Sequence, residues 1–150
     1  MGDEEREPRL FTLTEAERTR QEVEPLLAEA VETRRKMSGL DEKLGQLATR
    51  IMMLGGAAIR YDEAARLRSE HDALTAAVKA ALEKIEAYGC VVKDLDIGLL
   101  DFPARIDNED VYLCWRLGED RIRFYHRQDE GFAGRKPLDP RDTGPSYPVH

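Results

Sequence analysis

The stretch from Leu40 to Leu54 constrains this chain more than any other. Leu40, Leu44, Leu47, Ile51 and Leu54 step alternately by four and three, which is the apolar seam of a helix packed along a partner helix. After Gly55-Gly56 the same stepping resumes at Leu67, His71, Leu74, Val78, Ala81, Ile85 and Tyr88. The two seams do not share a register, because continuing from Leu54 puts a seam position on Arg68 rather than Leu67. The phase slip falls on the glycine pair, where a break costs least, and predicts a hinge or loop around 55–60. A seam of this kind buries against one partner, so a helical hairpin or short bundle follows, and its length also suits self-association.

A further helix precedes the seam. Thr14 and Glu17 have the spacing of a capping box, in which the hydroxyl and the carboxylate satisfy each other's free backbone N–H groups. Val23, Leu27, Ala30 and Met37 recur at helical spacing, Pro25 should kink the helix, and Ser38-Gly39 should end it. The expected helices are therefore 14–38, 40–54 and 61–88, with Gly89 as the last stop. His71, inside the seam, reads as a polar residue that sets the register.

From Cys90 onward the apolar period changes from helical to alternating. The sequence predicts strands over 91–102, 111–117 and 122–126, the first interrupted at Gly98 and Pro103, with "ARIDNED" as a turn. The expected fold is α+β: an N-terminal antiparallel helical hairpin or short bundle packed on a C-terminal three-stranded antiparallel sheet. It forms one domain over 1–138, with a flexible Gly/Pro-rich tail over 139–150. Val111, Leu113, Trp115 and Leu117 make one apolar strand face. Matching it to Ile122 and Phe124 pairs Leu117 with Ile122, Trp115 with Phe124 and Leu113 with His126. That register puts Cys114 and His126 on opposite faces and leaves Cys114 as a small buried residue. Trp115 then sits at the centre of the inner face, covered by the helix bearing Leu74, Val78, Ile85 and Tyr88.

The segment "DLDIGLLDFPARIDNEDVYLCWRLGEDRIRFYHRQDEGFAGR", with "RLFTLTEA" upstream, resembles the bacterial family catalogued as domain of unknown function 2203 over roughly residues 9–138. The resemblance rests on "LCWRLGE", an aromatic-His pair and "GFAGR". Where the family often has Trp-His, this chain has Tyr125-His126. It implies a helical region followed by a small sheet and gives no function. The matching positions that become candidate site residues are Asp101, Cys114, Trp115, Glu119, His126 and Arg135.

Composition narrows the function classes. The net charge is -7 and no region is a basic patch, so nucleic acid is not an expected partner. Arg121, Arg123 and Arg127 share a strand face with Tyr125, but Glu119, Asp120, Asp129 and Glu130 offset them. The opening "MGDEEREPRL" is acidic where a secretory signal needs a basic start, and no stretch is apolar enough to span a membrane. A cytoplasmic protein is expected, with Cys90 and Cys114 as thiols. No phosphate-binding loop, HExxH, GxSxG or EF-hand spacing occurs, so no complete catalytic set and no cofactor is predicted. The leading expectation is action through protein–protein interaction as a homodimer. The rival is a metal- or small-molecule-binding site, of a binding protein or an enzyme, where the sheet meets "GFAGR". There Asp101, Glu119 and His126 are the candidate ligands of a transition metal, and Arg135 approaches them beside Trp115.

Overall fold

The computed structural model describes residues 9–54 and 61–138; the expected tail over 139–150 and the expected hinge over 55–60 lie outside the described residues. Helix α1 spans Leu13–Met53 and α2 spans Tyr61–Glu86. They are followed by strands β1 Val91–Asp94, β2 Leu99–Ile106, β3 Glu109–Arg116, β4 Phe124–Arg127 and β5 Lys136–Pro137, with a 3-10 turn at Phe132–Gly134 before β5. The strands form one antiparallel sheet in the order β1-β2-β3-β4-β5, a meander of five strands rather than three.

Two expected helices are one. α1 runs through Pro25 and through Ser38-Gly39 without interruption. Leu40 and Leu47 pack against Leu67 of α2, and the burial gained by holding α1 on one axis outweighs the roughly 1 kcal/mol that a mid-helix glycine costs. The capping box lies two residues earlier than expected. Thr12 accepts from the Glu15 N–H, and Glu15 accepts from the Thr12 N–H, both at 3.0 Å. The sequence offers Thr12/Glu15 and Thr14/Glu17 equally. The tie is broken where the Phe11 N–H donates to the Pro103 carbonyl, which fixes the chain entering the helix against β2.

The long strand expected over 91–102 is two. Gly98 turns the chain with φ +69°, and a Cβ there would lie 2.7 Å from Leu117 Cβ, so the turn requires glycine. β2 and β3 are joined by Asp107-Asn108, both at positive φ, the two-residue reversal that matches strand twist. Strand pairing places Leu100 opposite Trp115, Phe102 opposite Leu113 and Ala104 opposite Val111. This inner face packs with Phe11, Ala16, Val23, Leu27, Val31 and Ile85 in the main core. The cover is thus mainly the first half of α1, with Ile85 of α2 and Tyr88 just beyond that helix at its margin. Leu74 belongs to a separate cluster with Leu40, Leu47 and Leu67. That second cluster holds the distal half of the hairpin together, and there His71 Nε2 meets Asp41 Oδ1 at 2.9 Å.

The expected β3–β4 register is off by one. Val111 pairs with Arg127, Tyr112 with His126, Leu113 with Tyr125 and Cys114 with Phe124. The expected register assumed that Ile122 needed a strand position to be buried. It lies instead in the connection before β4, is buried there, and donates its N–H to Glu17 Oε1 on α1 at 3.0 Å. With Ile122 accommodated by the loop, β4 is free to turn Tyr125 toward the core and Phe124 away from it. No described helix is long and apolar enough to cross a membrane.

Candidate metal centre

Directly opposed residues of an antiparallel pair share a face. Asp101 lies opposite Cys114, Cys114 opposite Phe124 and Tyr112 opposite His126, so all five occupy the outer face of the sheet, away from the helices. Cys114 and His126 therefore do converge, contrary to the expectation from the apolar pattern. Asp101, Cys114 and His126 are buried, and one ligand atom from each lies within 4.8 Å of the other two. Trp115 points to the opposite face, into the main core.

The imidazole of His126 is held at both nitrogens. Nδ1 lies 2.8 Å from the Arg127 carbonyl, which can only accept, so Nδ1 carries a hydrogen. Nε2 lies 3.0 Å from Asp101 Oδ2. A neutral imidazole would then aim a bare lone pair at a carboxylate oxygen, so the contact needs a proton or a cation between the two atoms. Burial raises the Asp101 carboxyl above its ordinary range, opposed by His126 and by the charge of Lys93. Asp101 Oδ1 is buried and makes no hydrogen bond of ordinary geometry, the Cys114 thiol being the weak donor that acts on this carboxyl. A buried acceptor left this weakly paired costs up to about 1–3 kcal/mol unless something occupies it.

The Cys114 thiol is pushed up to about 12, first by burial and then by the charge of Asp101, against the contact with Arg135. A thiol raised this far and fully buried is a poor nucleophile. Both imidazole nitrogens are also committed elsewhere, so the three residues do not make a Cys-His catalytic pair.

Glu119 and Arg135 sit at the edge of this cluster. Arg135 forks onto Glu119, with Nη2 to Oε2 at 2.6 Å and Nη1 to Oε1 at 3.3 Å, and Nη1 also reaches Cys114 Sγ at 3.9 Å. Its guanidinium lies 4.0 Å from the Phe124 ring centroid and 4.3 Å from that of Phe132. Glu119 in turn accepts from the Arg116 N–H through Oε1 at 2.8 Å, and its carbonyl accepts from Trp115 Nε1 at 3.0 Å. Of the three expected metal ligands, Asp101 and His126 meet, while Glu119 is held by Arg135 and stands outside the close cluster. Cys114 takes its place. Two residues escaped the sequence reading: Tyr112, whose ring lies 5.5 Å from that of His126, and, on the Trp115 side of the sheet, Arg20, buried in α1 and bound to Glu17, Glu24 and the Asp120 carbonyl. An arginine among the apolar positions of a helix was the available signal for Arg20.

Fold and site together define an α+β protein whose helical hairpin covers one face of a five-stranded meander and whose other face carries a buried Asp-Cys-His cluster. No curated protein and no solved structure matches the chain. Residues 9–138 match the family described as Uncharacterized conserved protein (DUF2203), and the chain belongs to that family.

Proposed function

We propose that this protein binds a divalent transition metal, with zinc the best fit, through Asp101 Oδ, Cys114 Sγ and His126 Nε2. The observation that carries the reading is the allocation of the imidazole nitrogens. Nδ1–H is anchored on a backbone carbonyl while Nε2 faces a buried carboxylate, which is the arrangement by which metal-binding histidines are held. The donor set of one sulfur, one nitrogen and one oxygen suits zinc and its neighbours rather than calcium or magnesium. Tetrahedral ligation at about 2.0–2.3 Å separates ligand atoms by roughly 3.2–3.8 Å, within reach of atoms already inside 4.8 Å of one another. The ion would also give Asp101 Oδ1 a strong partner. Three protein ligands leave a fourth position for water or a small ligand, the ligand count of catalytic zinc sites.

The test is titration of the metal-free chain with cobalt(II) and zinc(II). One equivalent of cobalt should bind with a thiolate-to-metal absorption band, zinc should displace it, and Cys114→Ser or His126→Ala should abolish uptake. Absence of the band, together with a thermal midpoint unmoved by excess zinc, overturns the reading.

A second reading, self-association through the hairpin arm, is supported by the distal cluster that packs apart from the main core and by the exposure of Met52, Met53 and Leu54. In it the chain is a cytoplasmic homodimer, in keeping with its two free cysteines. Light scattering at tens of micromolar decides it, a strict monomer refuting the homodimer.

A further inference from the structure

Arg135 is held by several groups at once. Its two terminal nitrogens are taken by Glu119, its central carbon lies within 4.3 Å of the Phe124 and Phe132 ring centroids, and one nitrogen donates toward the Cys114 sulfur. Such a fork is far more than is needed to tie down a surface segment. Lys136, the first residue of β5, already ties that segment down by holding both carboxylate oxygens of Glu130. Glu119 is itself fixed from beneath, since its carbonyl holds the indole of the most voluminous fully buried side chain and its carboxylate caps the Arg116 N–H. The clamp is therefore built on the core, and the nitrogen that donates to Glu119 Oε1 also faces the Cys114 sulfur.

We infer that Arg135 is the positioning residue of the metal centre, donating to the Cys114 sulfur as an outer partner and, locked by Glu119, barring the ion's exit. The inference rests on the metal reading above. A metal-bound thiolate carries spare lone pairs that a fixed donor stabilises, and partners of this kind typically govern affinity by about 10–100-fold. With cationic Arg135 neutralised by Glu119, the donor adds no net charge beside a metal whose own ligands, one carboxylate and one thiolate, already balance a dication. This favours retention of the ion over its repulsion. The Arg135–Glu119 pair is partly exposed rather than sealed in the core, so it can open toward solvent without displacing core side chains. Metal entry and loss then follow the opening of one ion pair, not the unfolding of the sheet.

The experiment uses the full chain loaded with cobalt(II), read by the sulfur-to-cobalt absorption band and by the rate of cobalt loss to excess chelator. Arg135→Gln should shift the band and speed release by about 10–100-fold. Glu119→Gln, which keeps the donor but unlocks it, should speed release while leaving the band close to its original position. Arg135→Lys, retaining a cation without the fork, should fall between. Circular dichroism of each variant separates these effects from misfolding, and a purely structural role would lower the thermal midpoint without moving the band. Cobalt-loaded wild type and Arg135→Gln with the same band and the same release rate overturn the inference and leave the metal site standing. Failure of the wild type to take up cobalt overturns both.

Discussion

Replacing Trp115 tests how the core and the candidate site are joined. The indole is fully buried, lies opposite Leu100, and packs in one cluster with Val23, Leu27 and Ile85. Truncation of such a side chain to alanine costs about 3–5 kcal/mol through lost burial and the cavity left behind. It also strips the Glu119 carbonyl of its donor, adding about 1 kcal/mol if water does not reach it. Against a typical domain stability of about 5–15 kcal/mol, Trp115→Ala should stand at the edge of unfolding. Trp115→Phe keeps most of the aromatic volume and isolates the lost hydrogen bond, so it should cost less than half as much. Urea unfolding followed by far-ultraviolet circular dichroism gives both values. Because α1 and the sheet share that cluster, helix signal and sheet protection against hydrogen exchange should be lost in one transition. An unchanged urea midpoint for Trp115→Ala, or loss of the sheet with the helical signal intact, would refute the single-core account.

Three further outcomes follow from the geometry. Gly98→Ala should destabilise by at least about 1–2 kcal/mol, since its φ of +69° is left-handed and the new Cβ would press on Leu117, and thermal unfolding measures it. In the metal-free protein the Asp101 carboxyl is raised, so its contribution to stability is complete below an unfolded value near 3.9 and is lost as pH rises through the folded value. Asp101→Asn should accordingly gain on the wild type between pH 4 and pH 7.5 in parallel urea melts. The thiols have the same sign at higher pH: Cys90 is raised to about 11 and Cys114 to about 12, both chiefly by burial. An unfolded thiol ionises near 8.5, so stability should decline as pH rises from there through these values, and a Cys90→Ala/Cys114→Ala double variant should flatten the decline.

The sequence by itself determined the class of fold. The seam at Leu40, Leu47 and Leu67 requires two helices side by side whatever else the chain does, and the alternation from Val111 to Trp115 requires a sheet with one buried face. It also pointed to Asp101, Glu119, His126 and Arg135, residue types whose chemistry is legible without coordinates. Tertiary structure decided how they are grouped. Whether Cys114 and His126 share a face depends on the parity of a single strand pairing, and that parity was set by a loop contact, the Ile122 N–H on Glu17, between residues far apart in the chain. The choice of Thr12 over Thr14 as the helix cap turned likewise on a bond from Phe11 to β2. Local pattern records which side chains want to be buried. It does not record which of two equivalent partners a distant strand or helix will select, and the candidate metal centre exists only through that selection.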